Sequence, residues 1–403
     1  TGIYYGFGQT AGDVGFLFPG QGSQYLDMGA GLAMEWKAAQ APWDVAANIE
    51  MDANTKLHDV VFPMSVFTDE AKKAQAANLV ATEWAQPAIG VTSLSQLSLL
   101  NQIGVKPASV AGHSFGEVTA LHAAGVIDQA SMIRVARRRG ELMRDAAATP
   151  GSMIAVVATI ERVRELLPKE SRVVVANHNA PEQIVLSGKT EAVNEVAKLF
   201  KEAGLKVRPL QVATAFHSEV VSDSVKPFAD FLKSVKVKKP TLPVYACSEA
   251  APYPAQLTKI RAMLAGQIAK PVRFVEQVEA MYDAGVRTFV EVGPGNVLTN
   301  LTGRILKGRE HRAIQLDRKG KHGVTSLHHG LAQLFVAGVG MKLAALWDAY
   351  AEQVDPRTIE KAPLELRLSG ANYGKPYPPE GGTKALPKPN PEIEPEIIVK
   401  EVI

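Results

Sequence analysis

The chain has 403 residues, 46% of them hydrophobic and 21% charged, with 44 basic against 41 acidic side chains and a net charge of +3. That length exceeds one typical domain and can bury a large core, while so even a charge balance argues against a nucleic-acid partner. No run approaches the ~18 apolar residues of a membrane span, and one cysteine, Cys247, excludes an internal disulfide and suits a reducing cytoplasm.

Residues 1–12 are Gly-rich and read as a junction. The chain opens on Thr1 with no basic-then-apolar leader pattern, so a piece of a longer polypeptide is expected. Val14 to Phe18 reads as a buried strand running into FPGQGSQ, where Gly20 and Gly22 let the backbone pass close to a ligand and expose N–H groups around Gln21. Strand–helix alternation continues to about residue 147. Within it, the apolar segment Pro107 to Ala111 ends at VAGHSFGE, and helix formers follow from Glu117. Ser114 therefore sits between a strand and a helix with a glycine two positions away on either side, the G-x-S-x-G elbow. Such a turn has no room for side chains at Gly112 or Gly116, and it presents a serine Oγ at a helix N-terminus, where negative charge is favoured.

From Met153 the pattern becomes MIAVVA, ERVRELL, RVVVAN, QIVLSG, EAVNEVAKLFKEAG and KVRPLQV, the βαββαβ order of a ferredoxin-like unit. It reads as an insertion over 150–211, because parallel α/β patterning resumes with LPVYAC, TFVEVG and AIQL. The expected layout is a core of 13–149 and 212–316, then a helical stretch and irregular return over 317–374. Residues 375–403, with seven of the 25 prolines, read as an extended linker.

A parallel α/β core places its site at the C-terminal strand edge. His217, in TAFHS directly after the inserted unit, is placed to face Ser114 as its base. No Asp or Glu stands out as a third member, and a dyad whose imidazole is held by a main-chain carbonyl stays open. The nine histidines show no ligand spacing, so no metal is expected. Cys247 reads as a buried structural thiol. The basic clusters Arg137 to Arg139 and Arg304 to Lys321 read as solvated surface or, alternatively, as attractors of an anionic partner.

FPGQGSQ, GHSFGE, an arginine beyond the elbow helix, AFH and VEVGPG, in this order over about residues 13–315, resemble the malonyl-CoA:acyl carrier protein transacylase family. The flanks ANYGKPYPP and SLHHGLAQLFVAGV resemble the segments found after the acyltransferase in polyketide and polyunsaturated fatty acid synthases. The resemblance implies an α/β-hydrolase-like parallel-sheet core with the inserted ferredoxin-like subdomain. It implies Ser114 as the acylated nucleophile, His217 as base, and the N–H groups of Gln21 and Phe115 as oxyanion hole. Arg139, 25 residues past the serine, would pair with the free carboxylate of the acyl group. KPVRF would orient the histidine through the main chain of Arg273, while Gln86, Asn177, Asn179 and His113 would line the pocket. The quartet Thr214, Ala215, Phe216, His217 departs from the family's two usual forms at Thr214, whereas Phe216 matches the malonyl form. The activity so implied is malonyl transfer from malonyl-CoA through a serine ester to the phosphopantetheine thiol of an acyl carrier protein, in a cytoplasmic multidomain synthase, with no bound cofactor. A serine thioesterase or hydrolase, and a non-catalytic docking module, are the competing readings.

Overall fold

In the computed structural model, residues 2–7, 12–210, 212, 214–348, 350, 355, 357, 358 and 380–385 are described. Nine strands form among them: β1 (Asp13–Phe18), β2 (Ser109–Gly112), β3 (Gly151–Val157), β4 (Val174–Ala180), β5 (Gln183–Lys189), β6 (Lys206–Pro209), β7 (Val244–Tyr245), β8 (Val286–Glu291) and β9 (Arg312–Gln315). Five of them pair in the order β7-β2-β1-β8-β9, every pair parallel, with Phe16 opposite Val110 on one side and Val290 on the other.

A parallel sheet is covered on both faces, which is why its strands read as unbroken apolar runs. Side chains alternate between those faces. Phe16, Phe18, Val110 and Val290 join one core with the long helix Thr82–Gln102, which is buried along nearly its whole length. Leu17, Ala111 and Phe289 face the other way, into a second core under the helices Phe274–Asp283 and Val297–Ile305.

The remaining four strands form a separate antiparallel sheet in the order β4-β5-β3-β6. The helices Ile160–Leu166 and Thr190–Glu202 cover one face of it, packing Val163, Val193, Val196 and Phe200 onto Ile154, Val156, Ile184 and Leu186. The expected architecture thus forms, a parallel α/β core interrupted by a ferredoxin-like unit. That unit is tied to the core by backbone: His178 N–H donates to the Val272 carbonyl at 2.9 Å, and Val272 N–H to that of Ala176 at 2.8 Å.

Three readings need correction. The core does not end at 316, because the helix Gly323–Val336 packs Leu327, Leu331 and Leu334 into it, and Trp36 Nε1 donates to the Leu346 carbonyl at 3.0 Å. The i, i+4, i+7 spacing of those leucines marks a core-facing stripe. The stretch Arg304 to Lys321 is more than solvated surface: it holds the end of one helix and β9, and Arg309 pairs with Glu279 at 2.7 Å. The strand predicted through Val212 is shorter, since β6 stops at Pro209. At the other end of the chain, Tyr4 of the predicted junction hydrogen-bonds His329 at 2.9 Å. The predicted linker lies outside the described residues apart from 380–385, where Gly382–Ala385 form one 3₁₀ turn. In the segment from Tyr350 onward, Arg357 pairs with Asp355 at 2.7 Å.

Phe16 is completely buried in the central strand. Phe16→Ala should cost about 3–5 kcal/mol in chemical denaturation, whereas a loss below about 1 kcal/mol would mean that the sheet face is not packed as described.

Candidate active site

The site begins where β2 stops. Gly112 is its last residue and the helix Gly116–Ala123 starts four residues later. A Cβ on Gly112 would stand 2.0 Å from the Gly116 carbonyl carbon, and one on Gly116 would stand 1.9 Å from the Phe18 carbonyl oxygen. Neither position admits any residue but glycine. The reversal holds Ser114 at φ 50°, a left-handed conformation that costs a non-glycine residue about 1–3 kcal/mol and persists only where the surroundings enforce it.

His217 is held in the same unusual region, at φ 57°. Its Nε2 lies 2.8 Å from Ser114 Oγ, and its Nδ1 lies 2.8 Å from the Lys270 carbonyl oxygen. A carbonyl only accepts, so Nδ1 carries the proton and Nε2 keeps the lone pair that receives the serine O–H. No carboxylate enters this chain of bonds; the pair is a dyad steered by main chain. The orienting residue is Lys270 and not Arg273. The Arg273 carbonyl is already occupied, accepting from Gln277 N–H at 2.9 Å in the first turn of the next helix.

The three consecutive arginines separate clearly. Arg137 pairs with Glu141 at 2.8 Å and lies over the Trp84 ring, and Arg138 pairs with the same carboxylate at 3.3 Å. Arg139 is completely buried. It stands on Gln129–Asp145, the second helix after the elbow. Its guanidinium donates to Gln86 Oε1 at 2.9 Å, Gln267 Oε1 at 3.0 Å and Ser114 Oγ at 3.4 Å. Among the described residues no carboxylate lies within ion-pair distance of it. Burial pulls its pKa down to about 10 against the nearby Cys247 and Glu117, so it stays charged at neutral pH, and among the described residues no ion pair closes on it. A buried charge in that state is costly, and an incoming anion relieves the cost.

Ser114, His217 and Arg139 open onto a cavity of about 230 Å³, together with Gln21, His113, Asn177, Asn179 and Phe216. His113 Nε2 meets Asn179 Oδ1 at 2.7 Å, which joins the elbow to β4 of the inserted unit. Gln86 does not line the cavity; it stands behind Arg139. Phe115 turns its ring into the core, leaving only its backbone for the site, at the N-cap of the elbow helix. Among the described residues no acceptor engages the main-chain N–H of Phe115 or of Gln21. Thr214 bonds the Thr149 carbonyl at 3.4 Å, outside the cavity lining, so its departure from the family quartet does not touch the acyl space. Sequence reasoning missed Gln267 and the apolar lining of Met143, Met153 and Leu210, and within KPVRF it placed the orienting carbonyl on Arg273 where the structure has Lys270.

Cys247 is buried and inert: its Sγ donates to the Gly112 carbonyl at 2.8 Å, and burial pushes the thiol pKa up. Glu117, beneath the elbow, accepts from Tyr253 Oη and Cys247 N–H and supports the turn rather than the histidine. Among the described residues no group of three His, Cys, Asp or Glu is placed to hold a metal ion, and no helix is long and apolar enough to cross a membrane.

A strained serine at a strand–helix turn, an imidazole in hydrogen-bond reach and free N–H groups at the helix start define a serine-dependent acyl-transfer site on an α/β core. The chain belongs to the acyl transferase domain family, whose sequence profile it matches over residues 15–341. It is 34% identical over 299 residues to the malonyl CoA-acyl carrier protein transacylase of Bacillus subtilis, covering 72% of this chain and 90% of that one. It is 30% identical over 380 residues to a polyunsaturated fatty acid synthase polypeptide of a Thraustochytrium species, covering 90% of this chain and 13% of that one. The acyltransferase domain from the second module of the salinomycin polyketide synthase superposes with a TM-score of 0.75 at 32% identity, over 84% of this chain and 76% of that one.

Burial, and then the neighbouring Arg139 charge, lower the His217 pKa from the ordinary 6.5 to about 3. The folded protein therefore keeps the free-base form from neutral pH down toward that value. The unfolded chain takes up a proton as pH falls through the ordinary value, so this residue's share of stability declines there while the base stays competent. The rate of Ser114 acylation by free enzyme should be nearly flat from pH 8 to pH 5, roughly within twofold. An acid limb centred on the ordinary histidine value would show that His217 is solvated.

Proposed function

We propose that the chain moves a malonyl group from malonyl-CoA, through an ester on Ser114, to the phosphopantetheine thiol of an acyl carrier protein, as one domain of a polyketide or polyunsaturated fatty acid synthase. The observation that carries this reading is Arg139, a fully buried guanidinium that closes no ion pair among the described residues and lies 3.4 Å from the serine oxygen. An acyl group with a free carboxylate satisfies it through two parallel charge-assisted bonds. A neutral acyl chain leaves it unpaired, which selects against acetyl and longer donors.

His217 Nε2 takes the hydroxyl proton as Ser114 Oγ attacks the thioester carbonyl. The oxyanion falls to the N–H groups of Gln21 and Phe115, each worth roughly 3 kcal/mol in the transition state. As the intermediate collapses, the carbon–sulfur bond breaks and the imidazolium returns its proton to the departing CoA thiolate. The carrier's thiol then attacks the malonyl–serine ester; His217 accepts the thiol proton and passes it back to Ser114 Oγ. CoA and phosphopantetheine are substrates in this scheme, and no resident cofactor takes part. Phe216, at the cavity wall, occupies the space that an α-methyl group would need.

The named relatives support the carrier protein as partner and flanking synthase domains as neighbours. The cytoplasm is the setting this reading carries, with a single cysteine kept as a buried thiol. A hydrolase needs no uncompensated arginine, and a docking module needs no strained serine aligned with a base, so neither competes.

Incubation with malonyl-CoA, read by intact mass, should add one malonyl group that leaves only when holo carrier protein is supplied. Ser114→Ala should take no label, and His217→Ala should acylate about 10²–10⁴-fold more slowly; rapid release of free malonate without carrier would mean hydrolysis. Arg139→Ala should lose malonyl transfer and gain relative use of acetyl-CoA, with Arg138→Ala unchanged beside it.

Phe216→Ser should raise methylmalonyl-CoA use relative to malonyl-CoA by about tenfold, since a methyl group in a fitted pocket is worth ~1–3 kcal/mol. An unaltered ratio in competition assays would show that the ring does not face the acyl group.

A further inference from the structure

Gln267 follows the helix Leu257–Gly266 and is 1% exposed. Both ends of its amide are engaged. Nε2 donates to the Ser114 carbonyl at 2.7 Å, while Oε1 accepts from Arg139 Nη2 at 3.0 Å. From the other side of the guanidinium, Gln86 Oε1 accepts from Nη1 at 2.9 Å. The residues just beyond Gln267 complete the arrangement: the Ile268 carbonyl receives His217 N–H at 3.2 Å, and the Lys270 carbonyl receives the imidazole Nδ1–H at 2.8 Å. One short stretch, Gln267 to Lys270, therefore holds nucleophile, base and arginine together.

Both acceptors on the arginine are amides, and that choice has a chemical consequence. A carboxylate at either position would close a charge-assisted pair inside the protein and satisfy the guanidinium before any substrate arrived. An amide fixes direction and leaves the charge uncompensated. We propose that Gln267 is a positioning residue that sets the site's selectivity for carboxylate-bearing acyl groups, aiming Arg139 beside Ser114 Oγ without neutralising it. This rests on the malonyl-transfer reading.

The test uses the full chain and its variants Q267E and Q86E, with folding checked by thermal unfolding. Ser114 acylation is followed by intact mass over a range of malonyl-CoA and, separately, acetyl-CoA concentrations. In Q267E the new carboxylate pairs with Arg139, so the malonyl-CoA KM should rise at least about tenfold and the preference for malonyl over acetyl should fall by a similar factor. Acetyl transfer, which makes no use of the arginine but shares the loss of the amide's bond to the Ser114 carbonyl, should fall less than malonyl transfer. A residue that merely braces the elbow would slow both donors alike, and that result overturns the proposal. Q86E places the same carboxylate on the opposite side of the guanidinium and should show the same shift; if Q267E fails to fold, Q86E decides. A wild-type chain that accepts malonyl while the folded variants keep its preference overturns the Gln267 assignment alone. A wild-type chain that never takes malonyl overturns the reading beneath it.

Discussion

The site depends on one steric fact, the approach of three backbones at the elbow. Gly112, Gly116 and the Phe18 carbonyl meet so closely that a single added carbon at either glycine would overlap main-chain atoms. His113 N–H donates to that same Phe18 carbonyl at 3.0 Å, so the turn is fastened to the central strand on its far side. Because β1 is hydrogen-bonded to β2 and β8, the serine inherits its position from the middle of the sheet. The strain at Ser114 is sustained by the packing of the whole parallel core.

Electrostatics add a second layer. The guanidinium that attracts an anion to the cavity also opposes protonation of His217, because both are shut away from water and stand on either side of the same hydroxyl. One uncompensated charge thus helps bind the acyl group and helps keep the base unprotonated. The neutral partners around it, Gln86, Gln267 and Met143, preserve that dual effect, whereas Arg137 and Arg138 are both taken up by Glu141.

Much of this was legible in the residues. The elbow can be read from two glycines and a serine because steric exclusion leaves nothing else possible there, and the inserted unit shows itself through a change in the order of elements, from strand–helix alternation to βαββαβ and back. Arg139 was distinguished from its neighbours by the resemblance, which sets an arginine 25 residues past the serine; helix geometry adds only that three successive residues, about 100° apart, cannot all reach one cavity. The resemblance pointed to KPVRF but not to the right carbonyl within it, since a main-chain acceptor carries no side-chain signature. Locating it depends on knowing which carbonyls helices have already claimed, and Arg273 lost its carbonyl to Gln277. Gln267 was silent for a related reason: an amide in an apolar stretch resembles any surface glutamine until its two partners are seen. The end of the core was misplaced because Leu327, Leu331 and Leu334 need β9 beside them before their stripe has meaning.

The backbone splice between β4 and Val272 bears on how the site is kept in register. Asn177 and Asn179, on β4, form one wall of the cavity, and Val272 lies two residues beyond the carbonyl that steers the imidazole. The wall and the steering group thus share one mechanical linkage. The shape of the cavity and the aim of the base are therefore indexed to one pair of backbone bonds.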